Sequence, residues 1–416
     1  MDFRRTLELM VERGASDLHI KVGAPPVFRI DGSLVPVDEV PPTGKDLDSV
    51  LDVLLSKTQK ADFEQAKEID FAFGLPGFAR FRANVYYQRG TVSFAIRHVP
   101  LGVPTFEELM LPPIVEDLAL RKRGLVLVTG TVGSGKSTTL AAMIDCINRR
   151  EARSIITIED PIEFLHRDDR SFISQREVGL DTGSFAEGLK HILRQDPDAI
   201  LLGEIRDRET MSVAFMAADT GHLVFSTLHT VDAAQTVNRI LSFYPPHQHD
   251  EVRFLLASTL QAVVSLRLIP RAKGGGRAPA VEIMINTASI QEYLLSAEKT
   301  LLIKSAIQDG AQQYGMQTFD QSLMRLYRQG LITLDEALRH SSNPTEFELR
   351  VRGIQASSDT SWDAFEDKSR SAEDDSSSPA ATGAGGLREG AGAGAGSPAS
   401  AAAAGDVKLP PGLVKY

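Results

Sequence analysis

Apolar residues recur at helical spacing at the start of the chain. Phe3, Leu7, Met10 and Val11 fall on one side of a helix with 3.6 residues per turn. Gly14 suits the left-handed backbone position that commonly follows a last helical turn. The pattern predicts an amphipathic helix that ends close to Gly14. It is unlike the uninterrupted apolar core of a secretory signal peptide.

Alternation of apolar and polar residues then predicts two pairs of strands. The four segments are 17–20, 27–30, 80–86 and 92–97. Asp31-Gly32 is typical of a hairpin turn after the first pair, and Arg89-Gly90 joins the strands of the second pair. Residues 1–100 are therefore predicted to form an α+β domain.

The pattern changes after a cluster of four prolines, Pro100, Pro104, Pro112 and Pro113. Short, uninterrupted apolar runs follow, at 125–128, 155–158, 200–202 and 223–225. Such runs are typical of strands buried on both faces of a mainly parallel sheet, and helical segments lie between them. The sequence therefore predicts an α/β domain with a ligand site where polar residues follow the strands. These polar residues are Gly130, Glu159, Glu204, Thr227 and His229.

The last part of the chain, from about residue 356, is rich in Ser, Asp, Ala and Gly and offers little apolar area to bury. We therefore predict four regions. They are an N-terminal α+β domain (1–100), a Pro-rich linker (101–116), an α/β domain with C-terminal helices (117–355) and a disordered tail (356–416). Trp362 and Phe365 in the tail are interpreted either as incidental aromatic residues or as a short docking motif.

The strongest chemical signal is a phosphate-binding loop. The segment Gly130-Thr131-Val132-Gly133-Ser134-Gly135-Lys136-Ser137, continued by Thr138, matches G-x-x-x-x-G-K-[ST] between an apolar strand and a helical pattern. Glycines let backbone N–H groups approach phosphates, and the N-terminus of the helix adds positive potential. Lys136 is expected to neutralise β- and γ-phosphate oxygens of ATP, and Ser137 to offer its hydroxyl to Mg²⁺.

Two acidic segments, 158–163 and 200–207, follow predicted strands of the same domain. Hydrolysis of a phosphate needs groups that orient water and hold the metal. The second segment is similar to a Walker B strand, but Gly203 stands where many NTPases place an aspartate. Glu204 is therefore expected to take the role of that aspartate towards the metal, directly or through water. Solvated strand ends are the alternative interpretation of either segment taken alone.

Histidines and arginines supply further candidates. His222 and His229 flank the strand predicted at 223–225, and His229, past its carboxyl end, is the better candidate to sense a γ-phosphate. Arg82 and Arg97 lie on strands of the N-terminal domain, from which an arginine can be delivered to a phosphate. Structural histidines and solvated arginines are the alternative interpretations.

Composition narrows the class of protein. The chain has 416 residues, a formal net charge of -10 and one cysteine, Cys146. The acidic balance argues against a nucleic-acid binder that uses a basic surface. A single cysteine excludes a disulfide framework and a Cys-based zinc site, and no apolar stretch approaches the ~18 residues of a spanning helix. We expect a cytoplasmic globular protein that does not insert into a membrane.

The motifs together resemble the secretion-superfamily ATPases of type II secretion and type IV pili. Segment 193–207 resembles their Walker B signature, 158–163 their Asp box, 221–230 their His box and 15–20 the start of their PAS-like N-terminal domain. Within this superfamily the chain is similar to the PilT-type retraction ATPases. It begins directly at the PAS-like domain, lacks the tetracysteine insertion of assembly and secretion members, and matches the retraction branch at 314–321.

The resemblance implies a PAS-like domain followed by a RecA-like P-loop domain, assembled as a homohexameric ring. It implies hydrolysis of Mg-ATP to drive pilus retraction and twitching motility, in contact with an inner-membrane platform protein at the cytoplasmic side. Glu163 would be the general base, although Glu204 is not excluded from that role. Glu204 would assist metal or water, His229 would sense the γ-phosphate, and Arg82 and Arg97 would close on it.

One segment departs from the PilT pattern. Where these proteins carry Ala-Ile-Arg-Asn-Leu-Ile-Arg-Glu, residues 289–296 read Ser-Ile-Gln-Glu-Tyr-Leu-Leu-Ser, without either arginine. The difference leaves open an accessory, PilU-like ATPase that acts with a paralogous motor. An assembly or type II secretion ATPase is the other alternative, and a nucleic-acid motor is disfavoured by the charge.

Overall fold

The structure is a computed structural model that describes residues 2–30, 32–75, 78–99, 102–353 and 414–415. These residues fall into two compact units. Unit 1 comprises the described part of Met1–Leu101 together with residues 414–415, and unit 2 the described part of Gly102–Ser378. Each unit has its own hydrophobic core. Among the described residues, no helix is long and apolar enough to cross a bilayer.

Unit 1 is an antiparallel sheet covered by helices. The elements are α1 (Phe3–Glu12), β1 (Asp17–Lys21), β2 (Val27–Ile30), β3 (Ser33–Pro36), α2 (Gly44–Leu54), α3 (Lys57–Ala66), β4 (Glu68–Leu75), β5 (Ala79–Gln88) and β6 (Thr91–Val99). The sheet order is β4-β5-β6-β1-β2-β3. All four strands predicted from alternation are present, and so is the first helix, with Gly14 in the left-handed region (φ 64°) just after it. The first residue of the expected Asp31-Gly32 turn lies outside the described residues.

Unit 2 is built on a seven-stranded sheet. Its strands are β7 (Gly124–Thr129), β8 (Ser154–Glu159), β9 (Phe172–Glu177), β10 (Ala199–Leu202), β11 (Leu223–Leu228), β12 (Leu260–Pro270) and β13 (Arg277–Ile285). The order is β13-β12-β7-β11-β10-β8-β9, and only β13 is antiparallel to its neighbour. The four apolar runs form the central strands β7, β11, β10 and β8, which confirms the parallel α/β prediction. Every residue of β7 and β11 is buried, because helices cover both faces of the sheet.

Helices of unit 2 connect these strands and extend beyond the sheet. They are α4 (Ile114–Ala119), α5 (Lys136–Arg150), α6 (Phe185–Ile192), α7 (Arg208–Asp219), α8 (Ala233–Ser242), α9 (His249–Thr259), α10 (Ala288–Leu295), α11 (Ile303–Asp309), α12 (Ala311–Tyr314), α13 (Phe319–Arg328), α14 (Leu334–His340) and α15 (Pro344–Val351), with short 3-10 helices at Pro246–Gln248 and Glu298–Leu302. The helices α13, α14 and α15 pack with β12 and β13 around a separate small core.

The segment expected to be a linker, 101–116, is not a free connection over its described part. Phe106, Leu111 and Val115 are buried in the core of unit 2, together with side chains of α5 and β7. The prolines interrupt regular secondary structure, but the apolar side chains between them are buried in the core of unit 2. Residues 102–116 therefore belong structurally to the α/β unit.

Most of the tail predicted to be disordered (356–416), including Trp362 and Phe365, lies outside the described residues. Within it, the strand β14 (Val414–Lys415) pairs antiparallel with β4, opposite Gly74 and Phe73. This short pairing adds a strand to the edge of the unit 1 sheet. It was not expected from the composition of the tail.

Candidate nucleotide site

The predicted phosphate-binding loop connects β7 to α5 in a tight, glycine-dependent turn. Gly130, Gly133 and Gly135 have φ values of 144°, 75° and 95°, a region that L-residues rarely adopt. A Cβ at Gly130 would lie 2.5 Å from Ser134 Oγ and 2.6 Å from Leu266 O. The loop therefore has room for glycine alone at Gly130, and its backbone can approach a bound anion closely.

Lys136, the first residue of α5, folds back over the loop. Its Nζ donates hydrogen bonds of 2.9 Å to the carbonyl oxygens of Gly130 and Thr131. Burial lowers the pKa of Lys136 from its usual value, and the nearby Glu204 and Glu163 act in the opposite direction. These contacts hold the amine on the concave side of the loop, where it can also donate to a phosphate oxygen.

The loop borders a cavity of about 500 Å³, a size typical of small-ligand sites. Its lining includes six residues of the predicted loop, Val132, Gly133, Gly135, Lys136, Ser137 and Thr138. Glu163, Glu204 and His229 also line it, from the carboxyl ends of β8, β10 and β11. The structure therefore brings the loop, both acidic segments and the favoured histidine together. Gly130, Thr131 and Ser134 complete the loop without lining the cavity.

His229 lies between a cation and an anion. Its Nδ1 is 3.5 Å from Lys136 Nζ, and its Nε2 is 3.1 Å from Glu204 Oε1. An ammonium can only donate, so these contacts fit the tautomer whose Nδ1 accepts and whose Nε2–H donates to Glu204. The second Glu204 oxygen accepts a 2.8 Å hydrogen bond from Arg206 Nε. By contrast, His222 makes local contacts with Ala217 and Thr220, as a structural histidine does.

The Asp-box segment contributes three carboxylates to the cavity wall, Glu159, Asp160 and Glu163, and two of them differ clearly in their surroundings. Glu163 is exposed at the cavity wall. Glu159 is held by hydrogen bonds from Thr157 Oγ1 (2.8 Å) and Gln175 Nε2 (3.1 Å), and burial raises its pKa. Because Glu163 is exposed to the cavity, a water bound there can reach its carboxylate, whereas Glu159 is tied to Thr157 and Gln175 and braces the segment.

Arg82 and Arg97 belong to unit 1, whereas the residues that line the cavity belong to unit 2. They lie opposite each other on the neighbouring strands β5 and β6. Arg97 forms a 2.8 Å ion pair with Asp17, and its side chain is 66% exposed. Burial acts to raise the pKa of Asp17, but the hydrogen bond from Ser16 and the ion pair with Arg97 together lower it.

Several residues of the cavity were not singled out from the sequence. They are His166, Phe185, Arg206, Leu268 and Arg277. Arg206 lies within the Walker B-like segment, so its position in the sequence could have marked it as a residue of the site. His166 follows the acidic segment by three positions; burial lowers its pKa to about 4, so its ring is neutral near neutral pH. Nothing in the local pattern marks Leu268 or Arg277, which come from distant strands.

The oxygen donors of the cavity fit a hard cation. Ser137, Glu204, Glu163 and Asp160 all line it. Within the described part of the chain, no three His, Cys, Asp or Glu side chains form a ready-made metal site. Mg²⁺ keeps several waters and is commonly held by one or two protein oxygens together with substrate phosphates. The donor set therefore fits Mg²⁺ that arrives with a nucleotide.

Comparison with known proteins places the chain in a family. The model of the family described as "Type II/IV secretion system protein" matches residues 110–339. The chain is 42% identical to the type IV pilus ATPase PilU of Pseudomonas aeruginosa, over 85% of this chain and 92% of that protein. It is 44% identical to the type IV pilus retraction ATPase PilT of the same species, over 83% of this chain and 100% of that protein.

A solved structure agrees with these relatives. The crystal structure of the pilus retraction motor PilT with bound ADP matches with a TM-score of 0.78 and 45% identity, covering 84% of this chain and 99% of that one. The family resemblance inferred from the Walker B, Asp-box and His-box segments is thus confirmed. The chain belongs to the type II/IV secretion system protein family, among its PilT- and PilU-like type IV pilus ATPases.

Proposed function

We propose that this protein is an Mg²⁺-dependent ATPase that drives type IV pilus retraction, and hence twitching motility. The observation that carries the proposal is the grouping of Lys136, His229 and Glu204 at the mouth of an intact phosphate-binding loop. The identity to a retraction ATPase along nearly its whole length supports the direction of the motor.

Each group has a chemical task in this proposal. The loop N–H groups and Lys136 bind the β- and γ-phosphates. The Ser137 hydroxyl, with Glu204 directly or through water, would hold Mg²⁺. Bound Mg²⁺ would neutralise charge on the phosphate oxygens. Glu163 accepts the proton of the attacking water, because it lines the cavity and is exposed to it. His229, between Lys136 and Glu204, senses the γ-phosphate by hydrogen bonding to it.

The proposal extends to assembly. We propose a PAS-like fold for unit 1 and a RecA-like fold for unit 2, assembled as a homohexamer that engages an inner-membrane platform protein from the cytoplasm. Arg82 and Arg97 would reach the γ-phosphate of a nucleotide during turnover. Their positions opposite each other on β5 and β6 support joint action, since both guanidinium groups could donate to one phosphate.

A second candidate is an accessory, PilU-like ATPase that works with a paralogous motor. The observation in its favour is helix α10, where Gln291 and Leu295 occupy the positions of the two missing arginines, and both are exposed. A surface helix that differs in this way would meet a different partner surface. The identity to PilU is close to the identity to PilT, so the relatives favour neither.

Pilus counts in the host organism test the direction of the motor. Deleting the gene should leave cells with abundant pili that do not retract, and the wild-type gene, but not a Lys136→Ala allele, should restore twitching. Cells without pili would contradict retraction and support assembly. Restoration of twitching by the Lys136→Ala allele, dependent on a second motor of this family, would support the accessory role.

A further inference from the structure

Glu282, at the centre of β13, is a carboxyl group that the roles above do not use. Its residue is 5% exposed, deep in unit 2. Its Oε1 accepts a 2.9 Å hydrogen bond from the backbone N–H of Ala233, the first residue of α8. A neutral acceptor could satisfy this N–H at a lower desolvation cost than a buried acid. Stability alone therefore gives no reason for a glutamate here.

The helix that Glu282 holds begins just after the proposed γ-phosphate sensor. His229 follows β11 directly, and α8 begins only four residues later, at Ala233. So short a connection lets the start of α8 set the path of the His229 backbone. Within it, Thr230 Oγ1 contacts Thr236 Oγ1 at 2.7 Å, and Asp232 caps the helix by accepting from Gln235 N. Movement at Ala233 would thus be transmitted to His229.

Glu282 also lies in line with the phosphate-binding loop. It pairs across the sheet with Ser265 of β12, which in turn pairs with Thr129, the last residue of β7. Thr129 Oγ1 donates a 2.8 Å hydrogen bond to Ser265 Oγ, so these paired side chains share one face of the sheet. The Glu282 side chain therefore links the start of α8 to the row of paired residues that ends at Thr129, directly before the loop.

We propose that Glu282 is a positioning residue for ATP hydrolysis, which fixes the first turn of α8 and through it places His229 between Lys136 and Glu204. The inference rests on the proposed ATPase activity. Glu282 touches no nucleotide in this account, so its removal should change turnover and leave nucleotide binding nearly intact. Charged groups that face it are Asp232 at the N-cap of α8, Arg267 from β12 and Lys304 from α11.

Two substitutions of similar volume separate positioning from packing. Glu282→Gln keeps an acceptor for Ala233 N–H, whereas Glu282→Met fills the space without one. We expect Glu282→Gln to keep kcat within about threefold of wild type and Glu282→Met to lower kcat by about tenfold or more, with KM for Mg-ATP within about twofold in both. Glu348→Gln, on α15, where the side chain is partly exposed and pairs with Arg352, serves as the control for loss of a carboxylate.

The route through His229 is tested by a double substitution. If Glu282 acts by placing His229, adding Glu282→Met to His229→Ala should lower kcat by less than about twofold relative to His229→Ala alone. Equal kcat in Glu282→Met and wild type, both folded by circular dichroism, would overturn the proposal, and so would a full tenfold loss in the His229→Ala background. If wild type itself releases no phosphate from Mg-ATP, the proposed function fails, which is a different outcome.

Discussion

Replacing Glu282 by glutamine should change how the stability of the protein depends on pH. Burial is the main cause that raises the pKa of Glu282 from 4.5 to about 7. Between these values the folded protein holds a proton on Glu282 that the unfolded chain has released. The free energy of unfolding of wild type therefore falls as pH rises through this window, whereas glutamine contributes no such change.

The size of the effect follows from the shift. A difference of about 2.5 pKa units (about 7 minus 4.5), at about 1.4 kcal/mol per unit, gives about 3–4 kcal/mol. The unfolding free energy of Glu282→Gln, minus that of wild type, should rise by about this amount from about pH 4.5 to about pH 7.5 and then level off. A buried glutamine amide can add a constant cost of about 1–3 kcal/mol, but a constant does not alter the pH dependence.

The assay is denaturant unfolding of the full chain, followed by circular dichroism at several pH values. Wild type and Glu282→Gln are compared at each pH, so that other titrating groups cancel. A difference that stays constant across this range would refute the reasoning, because it would mean that Glu282 titrates alike in the folded and unfolded states. A difference that falls with increasing pH would show that the folded protein stabilises the carboxylate instead.

Three further predictions concern the loop, the cysteine and the core. Gly130→Ala should abolish binding of a fluorescent ATP analogue, since its Cβ meets Ser134 Oγ and Leu266 O, whereas Gly44→Ala, with no atom near its Cβ, should bind normally. Burial raises the pKa of Cys146 to about 11, so its thiol should react slowly with a disulfide reagent near pH 8 until denaturant is added; rapid native labelling would contradict this. Leu256→Ala, in the core, should lower the free energy of unfolding by about 2–5 kcal/mol, whereas Leu301→Ala, 87% exposed, should change it by under about 0.5 kcal/mol.

Local pattern was enough to predict much of the fold and the loop. The runs of β7 and β8 are apolar because both faces of each strand are covered, so short uninterrupted apolar runs separated by helical segments were enough to predict parallel strands. The phosphate-binding loop is equally local, since its chemistry needs glycines and a lysine at fixed spacing. His229 and Glu204 were found because each follows a strand whose carboxyl end faces the site.

The contributions of Glu282 and Leu268 could not be predicted in this way. Both reach the site or its supports because β13 pairs with β12 and β12 pairs with β7, and register between distant strands leaves no local trace. The linker at 101–116 was misplaced for a related reason. Prolines mark a break in regular structure, but the burial of Phe106 depends on a surface formed elsewhere in the chain.

Release of phosphate from Mg-ATP by the purified full chain tests the central claim most directly. The account predicts steady turnover by wild type. It predicts a loss of about 100-fold or more in Lys136→Ala, at an unchanged oligomeric state, because the charge on the γ-phosphate is then no longer neutralised. Absence of turnover by wild type, or equal turnover by Lys136→Ala, would contradict it.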